Sequence, residues 1–153
     1  MTADVIILFF LFLFTVYVII FRTDKPEKIK LLKEKYQDLR TYIKTNRSTI
    51  NPKFYKLENE ILISGFMPNR WISSDAVGYN VNKGYEIGVC VDGSPNDMFH
   101  VLIHELAHSI TSAYNHDIEF WENYKQLRTL CEKAGLYIPI NKKTNFCGKY
   151  IGE

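Results

Sequence analysis

Apolar and polar positions alternate differently in successive parts of this chain, and each pattern predicts an element. Residues 5–21 (VIILFFLFLFTVYVIIF) are uncharged and apolar on every face. At 1.5 Å per residue the run reaches roughly 25 Å, near the short end of what spans a bilayer. It predicts a transmembrane anchor. A cleaved signal peptide fits less well, because no basic stretch precedes the run and no small-residue cleavage site follows it. A buried core helix rarely stays this apolar on every face.

Beyond it, Ile29, Leu32, Tyr36, Leu39 and Ile43 recur at helical spacing and form one stripe on a basic helix. Asp24 is placed to cap that helix, with Pro26 and Glu27 in its first turn. The stripe is expected to pack on the domain; a short coiled coil is the alternative. The lysines of this juxtamembrane helix also suit anionic lipid heads. Residues 46–52 are polar and read as a connection. Residues 61–66 (ILISGF) predict a strand, and 68–75 a loop. Residues 78–82 and 85–91, parted by Lys83-Gly84, predict a hairpin. In its second arm Tyr85, Ile87, Val89 and Val91 alternate with Glu86, Gly88 and Cys90, as in a half-buried strand.

Two helices follow. The first has Ser94 as cap, Pro95 at its first position and Asp97 at its third, and is expected to run to about Tyr114. The second is expected from about Asp117 to Ala134, stopped by Gly135. Its stripe is Phe120, Tyr124, Leu127, Cys131 and Ala134. The tail, 136–153, reads as mostly irregular.

Composition narrows the picture. At 153 residues there is room for one domain with a real core. A formal net charge of +2 gives no whole-chain argument for nucleic-acid binding. Cys90, Cys131 and Cys147 are odd in number and form no CxxC pair, which argues against a disulfide framework and against a cysteine zinc site. They read as buried small apolar side chains suited to a reducing compartment. Lys and Arg are absent before the apolar run, whereas Arg22, Lys25, Lys28, Lys30, Lys33 and Lys35 follow it. That asymmetry predicts a single-pass protein whose C-terminal domain is cytosolic. The sequon Asn46-Arg47-Ser48 points the other way. The resulting division is an anchor over 1–22, an amphipathic helix over 23–46 and one globular domain over 47–153.

Candidate chemistry sits at His104-Glu105-Leu106-Ala107-His108, an HExxH motif. Residues four apart share one helix face, so the two imidazoles can hold one metal ion. Glu105 lies beside that ion, placed to take a proton from the water it activates. The pentapeptide recurs by chance, but here it lies within a long apolar helix, where an unpartnered Glu would be costly. A catalytic zinc needs a third protein ligand and one open position. His116, between the two helices, is the best candidate, and the dipole at the second helix N-terminus favours its neutral form. Asp117 and Glu119 are fallback ligands; otherwise either caps the second helix, or Glu119 orients a ligand. His100 lies too far along the helix to share the ion and reads as a supporting or surface residue.

With His104-Glu-Leu-Ala-His108 and His116-Asp-Ile-Glu-Phe-Trp121, the sequence resembles the SprT-like and WLM families of zincin metalloproteases. The resemblance covers roughly residues 78–134. It implies that His104, His108 and His116 bind zinc, that Glu105 is the catalytic base, and that Phe120-Trp121 anchors the following helix. It also implies that the 85–91 strand lies antiparallel to an extended substrate. The gap between the second and third His is longer than in WLM proteins and lacks a glycine, and the CxxC zinc ribbon frequent in SprT proteins is missing. Small anchored proteins of this layout are also similar to predicted metallopeptidases of large DNA viruses.

Together these readings predict an α+β, zincin-like metallopeptidase domain with an N-terminal transmembrane helix. The expected function is zinc-dependent hydrolysis of peptide bonds in a protein or peptide substrate, with a membrane but no nucleic acid as further partner. The alternatives are a zinc hydrolase acting on another bond, and a non-enzymatic membrane or virion interaction protein with a structural zinc. An accidental motif in a metal-free fold is the last rival.

Overall fold

The computed structural model describes residues 3–21, 26–68 and 76–152. Among them the chain is α+β, with four α-helices, one 3-10 helix and two small sheets. Asp24, the expected cap of the second helix, and most of the expected 68–75 loop lie outside the described residues.

The first helix, α1 (Ala3–Phe21), leaves most of its described side chains exposed, Leu8 and Phe12 among them. Among the described residues no helix is long and apolar enough to cross a membrane. The expected single-pass membrane protein with a cytosolic C-terminal domain is therefore corrected. The 19 residues of α1 rise about 28 Å, short of roughly 30 Å of hydrocarbon.

The stripe on α2 (Pro26–Thr45) packs as its spacing demands: Leu32, Tyr36, Leu39 and Ile43 are buried in the central core and Ile29 packs against it. This helix is thus part of the domain's own core. A 3-10 helix, Pro52–Glu58, follows; Asn51 caps it by accepting from the Lys53 amide, and Phe54 and Leu57 are buried. No apolar period announces so short an element.

The main sheet has the order β1-β3-β2, with β1 (Leu62–Phe66) parallel and β2 (Gly78–Val81) antiparallel to β3 (Glu86–Cys90). The β2–β3 hairpin turns through Asn82, Lys83 and Gly84, all three at positive φ. The expected alternation in β3 fails. Tyr85 is exposed, while Ile87, Gly88, Val89, Cys90 and Val91 are all buried. The cause is cover on the second face: a Cβ at Gly88 would meet the Tyr79 ring at 2.0 Å, and Cys90 is bonded to the tail. As the central strand, β3 has both edges paired, so it cannot pair with a substrate as the family resemblance implied. Among the described residues, the edge left unpaired beside the candidate site belongs to β2.

Ser94 and Asp97 close a reciprocal capping box on α3 (Pro95–Ile110). The helix stops four residues short of Tyr114. Thr111 turns extended, and Lys56 and Lys83 take up carbonyls that the helix end leaves without amide partners: Ser109 O by Lys56, Thr111 O to Ala113 O by Lys83. Asp117 caps α4 (Ile118–Lys133), and Gly135, at φ +71°, follows its end. Phe120, Leu127 and Cys131 of the expected stripe are buried, with Tyr124 partly so.

The tail is more regular than expected: β4 (Thr144–Phe146) and β5 (Lys149–Ile151) pair antiparallel. Cys147, in the turn between them, forms a disulfide with Cys90 across 57 residues, and only Cys131 stays free and buried. The expectation of three unpaired cysteines is corrected, and with it the argument for a reducing compartment. Two cysteines far apart in sequence carry no spacing signal; the fold brings them together.

Candidate metal centre

Helix α3 presents His100, His104 and His108 at intervals of four, one above another. The loop of residues 111–117 then reverses the chain and returns His116 to the same face. His116 Nε2 lies 3.0 Å from His104 Nε2 and 3.0 Å from His108 Nε2. The potential ligand atoms of these three residues all fall within 4.8 Å of one another, and no other such group occurs among the described residues. Tetrahedral bonds of about 2.0–2.1 Å put ligand nitrogens roughly 3.3 Å apart, so the cluster matches the donor geometry of one metal ion. Three histidines therefore lie close enough to bind a metal ion.

Electrostatics suit that use. Burial, followed by the charges His116, His108 and His100 would carry, lowers the His104 pKa to about 4. Burial also lowers that of His108, with His116 and Lys83 adding to the effect. Both imidazoles are thus held in the neutral, metal-binding form. Aromatic rings pack around the cluster: Phe120 stands 4.3 Å from His108 and 4.9 Å from His104 between ring centroids, and Trp121 5.6 Å from His116.

Glu105 points between the helix and β2. Its carboxyl is pushed up to about 7 by burial. The residue facing it is Gly78, where a Cβ would come within 2.9 Å of Glu105 Oε1 and 2.7 Å of Val101 Cγ1. Asn80, on the same strand, fixes the spacing. Its amide donates to Glu105 O at 2.6 Å and to Ser109 Oγ at 2.8 Å, while its Oδ1 accepts from the Gly84 amide at 2.7 Å.

The other candidates take supporting places. Asp117 accepts from the Phe120 amide as the cap of α4, and Glu119 accepts from the amide and hydroxyl of Ser112 across the loop; neither joins the imidazoles. His100 lies one turn from His104 with its Nδ1 2.7 Å from Tyr137 Oη. Burial, then Arg128, lowers its pKa, and Asp97 raises it. Sequence reasoning missed Lys83, Gly78 and Asn80. A hairpin facing the motif was legible, but not which of its residues reach the helix.

A cavity of about 990 Å³ opens over the cluster, lined by His104, Glu105, His108, His116 and Trp121 and closed on another side by the tail. No family profile, curated protein or solved structure matches the chain.

Proposed function

We propose that this protein is a zinc metallopeptidase with a zincin-like fold, related to the SprT-like and WLM families. The observation that carries the reading is the convergence of three imidazole nitrogens beside a buried carboxyl at the wall of an open cavity. A structural zinc site is closed by four protein ligands; here, among the described residues, three converge. A site of the structural kind also has no use for Glu105.

In this reading His104, His108 and His116 hold the ion, and zinc when bound supplies the Lewis acidity that polarises a carbonyl and acidifies a water. The remaining chemistry belongs to the chain. Glu105, with its pKa raised towards neutrality, accepts the proton of the attacking water and returns it to the departing amine. Gly78 keeps the space in front of the carboxyl open. Phe120 packs on the imidazoles, and Asn80 holds the backbone at Glu105.

Elemental analysis of the full chain is expected to find about one zinc per protein, lost or much weakened in His116→Ala. Glu105→Gln is expected to keep the zinc and to lose peptide hydrolysis by at least about 100-fold. Undiminished hydrolysis in that variant would remove Glu105 as the base; a chain that takes up no zinc would remove the whole reading.

A further inference from the structure

The cavity extends well beyond the three imidazoles, and its far end differs in charge. Helices α3 and α4 run past one another in opposite directions. His108 meets Phe120, His104 meets Tyr124, and His100 meets Tyr124 and feels the charge of Arg128. Walking from His108 to His100 is therefore walking from Trp121 towards Arg128. Trp121, Lys125 and Arg128 follow at helical spacing on the cavity face of α4, and Lys149 of β5 lines the cavity from the tail. Three cations thus line it, against one carboxyl, Glu105, at the metal end. Glu132 offsets part of one of them, through an ion pair of 3.2 Å to Arg128 Nε. Lys125 and Lys149 are exposed.

Seven residues of helix separate Trp121 from Arg128, about 10 Å, the reach of three residues of extended peptide. From these placements we propose that the far end of the cavity is a carboxylate subsite: it takes a carboxylate carried about three residues from the bond to be cut. The inference rests on the peptidase reading and names its substrate class. Its source is either an acidic side chain or the terminal carboxylate of a short peptide. Only three cations line the open cavity and the whole chain carries only +2, which favours a single carboxylate over a polyphosphate strand.

The test is calorimetric binding to the zinc-loaded Glu105→Gln protein, which needs no turnover. The probes are alanine-based octapeptides with a central Ala-Phe bond and Asp, Asn or Lys three residues to either side, each with a free or an amidated C-terminus. Asp is expected to bind about fivefold tighter than Asn on one side, and Lys weakest. Lys125→Glu combined with Lys149→Glu should invert that order, and the corresponding Gln pair should flatten it. A gain that survives amidation assigns an acidic side chain; one that vanishes on amidation assigns the chain terminus. Equal binding of the Asp, Asn and Lys peptides, free and amidated, overturns the subsite, as does tighter binding of a ten-nucleotide single-stranded oligonucleotide. The same peptides given to the zinc-loaded natural protein and followed by mass spectrometry separate the two readings. Selective binding without cleavage sinks the peptidase and keeps the subsite; cleavage indifferent to the Asp does the reverse.

Discussion

Glu105 shows how one buried group is bound to weaken the fold that carries it. Its carboxyl titrates near 7 in the metal-free fold and near the ordinary carboxylate value in the unfolded chain. The folded state therefore holds the proton more tightly. Stability is greatest below the unfolded value, falls as pH rises from about 4.3 towards 7, and then levels off. Glu105→Gln is expected to stabilise the metal-free protein at pH 8 by roughly 3 kcal/mol, read as a higher thermal midpoint, with the advantage gone below about pH 4. Zinc in excess should narrow the gap at pH 8, because a cation beside the carboxylate replaces lost hydration. Equal midpoints for both proteins at both pH values would show that burial does not strain this group.

At the scale of elements, the hairpin and the loop of residues 111–117 act as a pair. Lys83, at the tip of the hairpin, donates to three successive loop carbonyls and lies 4.5 Å from the Tyr114 ring centre. The loop it gathers carries His116. Lys83→Met is expected to weaken zinc binding about tenfold, measured by competition with a chelator. In a His116→Ala background the same change should cost almost nothing further, since the loop then carries no ligand. Additive losses would mean that Lys83 acts elsewhere. The sequence made the parts of this arrangement legible unevenly. Periodicity located α2, α3, α4 and the hairpin, and cap residues placed Ser94 and Asp117 at helix starts. The spacing of His104 and His108 is a property of one helix and could be read directly. The return of His116 depends on where α3 stops, which is decided by Lys56 and Lys83, residues distant in sequence. The burial pattern of β3 failed for a similar reason: a strand cannot show in its own sequence that Tyr79 and the tail cover its second face.

For the molecule as a whole, the Cys90–Cys147 bond joins the central strand to a tail that would otherwise be a hairpin of two three-residue strands, too short to persist alone. Phe146 and Ile151 are the buried apolar residues of that hairpin, and a Cβ at Gly93 would strike the Phe146 ring at 2.2 Å. Replacing both bonded cysteines by serine is expected to cost about 2–4 kcal/mol in denaturant unfolding, because the bond closes a long loop. Reductant should produce the same loss in the natural protein and none in the double variant. An unchanged midpoint under reductant would show that Phe146 and Ile151 hold the tail unaided.

That bond also divides the cavity in time. Its tail wall, with Lys149, is tied covalently to the middle of the sheet, and thermal motion does not break such a link. Its loop wall, with His116, rests on hydrogen bonds, from Lys83 to three loop carbonyls and from Ser112 to Glu119, and such bonds open and close without breaking a covalent link. One side of the cavity therefore stays tethered to the sheet until thiol chemistry releases it, while the other is free to shift at the pace of a surface loop. Traffic in and out of the site belongs to the fast side, past His116 and Trp121.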